Sequence, residues 1–123
     1  MVHDDQQGGA VLLFDAPLAD PRAAWTRSTL DGAAGGFGVM RAVAVDLNQD
    51  GHEDVAMSSD AGGEVRAFIR SSTGWISQPV GGLAGVTFVT AGDIDGDQYP
   101  DLLTTTYESS PASDRVSWWR TLP

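Results

Sequence analysis

Apolar and polar positions alternate in short runs along this chain, broken every few residues by Gly, Asp, Ser or Pro, and no long segment carries a helical period. β-Branched and aromatic residues concentrate in these runs, which suits half-buried strands. The pattern predicts nine strands: Ala10–Phe14, Ala24–Leu30, Val39–Val45, Val55–Ser58, Glu64–Arg70, Trp75–Val80, Val86–Ala91, Leu102–Thr106 and Arg115–Thr121. The expected class is all-β, built from meanders.

The strands repeat. Asp46, Asp50 and Asp54 map onto Asp93, Asp97 and Asp101 at an offset of 47, and Gly62 to Phe68 echoes Gly8 to Phe14 at an offset of 54. Trp75 echoes Trp25 at 50, and Val116 with Trp119 matches Val65 with Phe68 at 51. If a unit has four strands with the acidic loop after the first, the chain runs third and fourth, then one complete unit, then first to third. A period near 47 residues with four short strands marks a β-propeller blade. The expected division is a polar N-terminal segment 1–7 followed by a repeat domain 8–123. That domain comprises a partial blade 8–36, a complete blade 37–84 and a partial blade 85–121, about two and a quarter units in all. Nine strands fall short of a ring, so the chain is expected to be a fragment or a subunit that closes a ring with other copies. Unpaired blade edges would invite such homo-oligomers.

Two windows carry candidate chemistry. Asp46-Leu47-Asn48-Gln49-Asp50-Gly51-His52-Glu53-Asp54 places side-chain oxygens at loop positions 1, 3, 5 and 9. Alternate residues of a tight loop converge on one point, and calcium takes six to eight oxygens at about 2.3 to 2.6 Å. Asp46, Asn48, Asp50 and Asp54 are the expected side-chain ligands and the His52 carbonyl a backbone ligand, with the His52 imidazole directed away. Gly51 supplies the sharp turn. The second window offers Asp93, Asp95, Asp97 and Asp101, with the Tyr99 carbonyl. It has Gln98 where the first has glycine; a left-handed conformation there would cost of order 1 kcal/mol, offset by a fourth carboxylate. An EF-hand is excluded, since position 12 falls on Met57 and Thr104 rather than Glu and the flanks read as strands. Asp-rich turns also occur without metal, but two with matched spacing and matched flanks favour two calcium sites.

These residues resemble the FG-GAP or VCBS repeat family, the integrin-α-like propeller blades. The pattern is Phe-Gly, a strand, D-x-[DN]-x-D-G-x-x-D and a second strand. Phe37-Gly38, the strand Val39–Val45, the loop 46–54 and Val55-Ala56-Met57 fit it. The second copy has Gly85-Val86 in place of Phe-Gly and lacks the loop glycine. The resemblance covers roughly residues 8 to 121. It implies blades in which a calcium loop staples the first two strands, in a family found in adhesion receptors, lectins and large secreted bacterial proteins.

Charge sharpens this reading. Seven Lys and Arg against seventeen Asp and Glu give a net charge of −10, which disfavours nucleic acid and anionic membranes. Eight of the seventeen acids lie in the two windows, where a cation would be held. The chain has no cysteine, which excludes disulfides and thiol catalysis. No apolar run approaches membrane-spanning length, and the segment from Met1 to Gln7 does not read as an export signal. An exported protein would then carry its signal outside this sequence.

Nucleophile elbows, phosphate-binding loops and zinc-protease motifs are missing, so the chain is expected not to be an enzyme. Trp25, Trp75 and Trp119 are expected to pack between blades, while Trp118, one residue off phase, is the best candidate for surface contact. The functional expectation is an extracellular, calcium-stabilised binding or adhesion module with a glycan or protein ligand. The alternatives are a lectin-like homo-oligomeric propeller and an architectural repeat of a larger secreted enzyme.

Overall fold

A computed structural model describes residues 11–20, 22–31, 39–59, 62–107 and 114–122. The segment 1–7, the first residue of the strand expected at Ala10 and the Phe37-Gly38 pair lie outside the described residues. Among the described residues nine strands form: β1 (Val11–Asp15), β2 (Thr26–Asp31), β3 (Val39–Val45), β4 (Asp54–Ser59), β5 (Glu64–Ser71), β6 (Gly74–Gly82), β7 (Val86–Gly92), β8 (Asp101–Thr106) and β9 (Val116–Trp119). They group into three antiparallel sheets, in the orders β1-β2, β3-β4-β5-β6 and β7-β8-β9. Each connection joins neighbours, so every sheet is a meander. Among the described residues the three sheets do not close into a ring.

The alternating pattern explains which strands lie deepest. In β4, five of six residues are buried, because the strand is covered by β3 and β5 at its edges and by neighbouring elements on its faces. In its counterpart β8, four of six residues are buried. The apolar core gathers Ala56 of β4, Val65 and Ala67 of β5, Val86 and Val89 of β7, and Leu102 of β8, together with Leu47. It therefore lies between the second and third sheets, where β7 packs on β3 and β4. Phe68 and Met57, both fully enclosed, form a second cluster with Leu30, Val39, Val55 and Trp75 around it. At the rim the Arg41 guanidinium of β3 stacks 4.7 Å from the Phe88 ring centroid of β7, adding a cation–π contact across the same junction.

Two local features follow from residue type. Pro79 cannot donate to a ladder, and it sits in β6, which is terminal in its sheet. The register shifts between Val65 and Arg66 opposite it. Gly81, also in β6, meets the Trp119 ring: a Cβ there would lie 2.4 Å from Cζ3. Only glycine allows so close an approach, and this is how β9 seats its aromatic residue on the four-stranded sheet.

The tryptophans divide differently from expectation at one position. Trp75 lies within β6, opposite Arg70, and packs on the Phe68 cluster. Trp119 packs on the main core and its Nε1 donates to Thr104 Oγ1 at 2.8 Å. Trp25, expected in the core, is instead 55% exposed. It precedes β2 rather than lying inside it, and among the described residues the sheet it adjoins has two strands. Trp118 is exposed, as its phase requires.

Candidate metal centre

Both acidic loops join the first strand of a sheet to the second. The loop after β3 ends on Asp54, the first residue of β4, and the loop after β7 ends on Asp101, the first residue of β8. Both aspartates have no accessible surface. Each uses its two oxygens to tie the loop to the sheet. Asp54 accepts the Leu47 N–H at 2.9 Å and the Arg70 N–H of β5 at 2.8 Å; Asp101 accepts the Ile94 N–H at 3.1 Å and the Thr121 N–H, just past β9, at 2.9 Å. The last residue of each loop thus clamps three consecutive strands of its sheet.

The first residue organises the turn. Asp46 accepts the N–H groups of Asp50 (3.1 Å) and Gly51 (2.9 Å), and Asp93 accepts those of Gly96 (2.8 Å), Asp97 (3.1 Å) and Gln98 (2.9 Å). Position 3 caps position 5 in both loops, as Asn48 Oδ1 accepts the Asp50 N–H and Asp95 Oδ1 the Asp97 N–H, each at 3.2 Å. Position 5 caps position 7, with Asp50 accepting the His52 N–H and Asp97 the Tyr99 N–H, each at 2.9 Å. Converging N–H donors stabilise ionised carboxylates. At Asp50 the His52 N–H dominates over partial desolvation and, with the Asn48 amide and the His52 charge, holds the pKa below the usual carboxylate value. At Asp101 burial works against ionisation, but the Thr121 and Ile94 N–H groups, the Trp118 indole and the Arg120 charge outweigh it, and the pKa is again lowered.

Each loop turns twice through left-handed conformation, at positions 4 and 6. In the first these are Gln49 (φ 59°) and Gly51 (φ 86°); in the second, Gly96 (φ 80°) and Gln98 (φ 75°). Gln98 is left-handed, as the substitution for glycine anticipated. Position 4 was not singled out from the sequence, although Gly96 at that position was the visible signal. The loops also touch each other, as Gln49 Nε2 donates to the Gln98 carbonyl.

The second loop brings ligand atoms of Asp93, Asp95 and Asp101 within 4.8 Å of one another. Oxygens on a calcium shell of about 2.4 Å radius lie at most about 4.8 Å apart, so this spacing fits the ion. Asp97 has a buried Oδ2 that accepts no hydrogen bond. Among the described residues no three carboxylates or histidines of the first loop reach the same spacing. There Asp50 Oδ2 is instead taken by the Asn48 amide, at 3.0 Å. His52 stays exposed and Tyr99 half-buried, both holding position 7 of their loops.

The sequence comparisons bear on this geometry. The model of the FG-GAP-like repeat matches residues 46–104, from the first residue of the first loop to the third residue past Asp101. The chain carries an FG-GAP-like repeat over that segment. Human integrin alpha-7 is 38% identical to it over 78 residues, covering 54% of this chain and 7% of the integrin; the rat and mouse integrin alpha-7 chains are each 37% identical over the same length and coverage. The chain therefore spans a small fraction of the curated relatives it matches. No solved structure matches it significantly. FG-GAP repeats form β-propeller blades, so the four-stranded sheet β3-β4-β5-β6 is read as one blade and β7-β8-β9 as the first three strands of the next. The repeat is of the integrin-alpha type.

Arg120 was not anticipated as part of the site. It follows β9 and reaches back into the second loop, with Nε 2.5 Å from Asp95 Oδ2 and Nη2 3.6 Å from Asp97 Oδ2. An alignment of the two blades through their clamped N–H groups, Arg70 and Thr121, would have set Arg120 against Ile69 and exposed the difference.

Proposed function

We propose that this chain is a calcium-binding pair of propeller blades from an extracellular binding or adhesion module, with a glycan or protein as ligand. The observation that carries it is the shared capping of positions 5 and 7 by positions 3 and 5 in the two loops, with three carboxylates of one spaced as calcium ligands. Turns that merely reverse the chain have no need to converge acidic oxygens, and converged carboxylates repel one another until a cation joins them. In this reading Asp46, Asn48, Asp50 and Asp54 with the His52 carbonyl hold one ion. Asp93, Asp95, Asp97 and Asp101 with the Tyr99 carbonyl hold the other. The ion supplies positive charge that locks the first two strands of a blade together, a structural task that makes the module a scaffold rather than a catalyst.

Segments 8–36, 37–84 and 85–121 are proposed as successive blades. The similarity to integrin alpha chains supports an extracellular setting. The test is thermal unfolding with calcium, with magnesium and with excess chelator, on the wild type and on a variant carrying Asp50→Ala and Asp97→Ala. A calcium-specific rise in Tm, lost in the variant, is expected. Superimposable curves in all three conditions would refute the metal reading.

A further inference from the structure

We infer that Arg120 is a built-in counter-cation of the second loop, standing where the metal's charge acts and competing with calcium for that site. The inference rests on the calcium reading above and deepens it. Its starting point is the set of acidic oxygens left over once the backbone has been satisfied. In the second loop Asp93 and Asp101 place both oxygens on N–H groups, and Asp95 and Asp97 place Oδ1. Asp95 Oδ2 and Asp97 Oδ2 remain, and these are the two atoms that Arg120 approaches, at 2.5 and 3.6 Å.

In the first loop the same vacancy is filled without an arginine. Position 3 is Asn48, whose Nδ2 donates to Asp50 Oδ2 at 3.0 Å. The residue aligned with Arg120 is Ile69, which has no charge to offer. Charge bookkeeping agrees: the first loop carries three ligand carboxylates and an amide, the second four carboxylates and one guanidinium. Asp95 and Arg120 thus replace Asn48 and Ile69 as a pair, and each loop presents the same net charge of −3 from these groups. The guanidinium is held by one loop on one side only and is half-exposed, so an incoming ion can displace it.

A consequence is that the two sites differ. Calcium enters the first loop against an amide that need only rotate away, whereas in the second it must displace a charge-assisted ion pair. Asn48 and Arg120 also line one cavity of about 320 Å³, with Leu47, Ile69, Leu102 and Trp119, so a guanidinium released from the loop has adjacent space to enter.

The experiment uses isothermal calcium titration of the full chain carrying Asp50→Ala, which leaves the second site to be read, with and without Arg120→Gln. Thermal unfolding in chelator accompanies it. Arg120→Gln is expected to tighten calcium binding about tenfold and to lower Tm in chelator, with the deficit recovered in saturating calcium. Arg120→Lys, which keeps the charge, should leave the affinity within about threefold of the parent. Equal affinity in parent and Arg120→Gln would overturn the role of Arg120 while the calcium reading stands. If neither protein binds calcium although both show a cooperative transition and a β-type circular dichroism spectrum, the calcium reading itself fails and the competition falls with it.

Discussion

Replacing Gln98 by glycine should stabilise the protein, although it removes a side chain. Gln98 has φ of 75°, and a left-handed conformation costs an L-residue about 1 to 2 kcal/mol. Glycine relieves that strain but gives the unfolded chain more freedom, at about 0.5 to 1 kcal/mol. The Gln98 side chain is exposed and the atom that matters, its carbonyl, remains to accept from Gln49. The net gain is about 0.5 to 1 kcal/mol, or roughly 2 to 4 °C in Tm for a chain of this size. Gln49→Gly is the control: it relieves similar strain but deletes the Nε2 donor, which is worth about 1 kcal/mol, and should be close to neutral. Gly51→Ala and Gly96→Ala complete the set. A Cβ at either meets no atom within 4 Å, so the loss of about 1 kcal/mol expected there is purely conformational. Chemical denaturation in chelator measures all four without a metal contribution. A lower midpoint for Gln98→Gly, at unchanged m-value, would refute the strain argument.

Other substitutions test the packing and the clamps. Asp54→Ala leaves two N–H groups, of Leu47 and Arg70, without their acceptor at a fully buried position, and should cost about 2 to 5 kcal/mol even in chelator; a loss seen only with calcium would show that its role is ligation alone. Phe68→Ala empties the second cluster beside Met57 and Trp75, with an expected loss of about 3 to 5 kcal/mol by denaturant unfolding. Gly81→Val drives a branched side chain into Trp119 and should cost about 1 to 3 kcal/mol, with a change in tryptophan fluorescence; an unaltered spectrum and midpoint would mean that β9 does not seat on β6 as described.

Strand positions were legible because half-buried strands write their period into the sequence. Val39–Val45 was placed to the residue, and most other boundaries moved by one or two positions. The shifts have causes. Asp54 and Asp101, polar and assigned to loops, open β4 and β8 because their carboxylates bind backbone N–H groups of the sheet rather than facing water. β6 continues through Pro79 to Gly82, which composition argues against, because a terminal strand spares proline a missing donor. Trp25 differs because the repeat aligned it with Trp75, yet Trp75 lies inside β6 whereas Trp25 falls just before β2. In the candidate site, the two loops and their matched spacing were legible from Asp, Asn and Gly alone. Arg120 was not, since it lies 19 residues past Asp101 and reaches the loop only through the β8–β9 pairing.

The asymmetry between the loops makes one further substitution informative. Asn48→Asp gives the first loop the four carboxylates of the second without the arginine that accompanies them, since Ile69 stands in its place. The Nδ2 donor to Asp50 Oδ2 disappears, at about 1 kcal/mol, and an added negative charge faces Asp46 and Asp50 with only solvent to screen it. Tm in chelator should therefore fall by about 4 °C. Calcium should recover more than this, because a carboxylate is a stronger ligand than an amide oxygen and no guanidinium has to be displaced. The variant is thus expected to be less stable than the wild type without calcium and at least as stable with it. A uniform loss in both conditions would mean that position 3 serves the turn and not the ion.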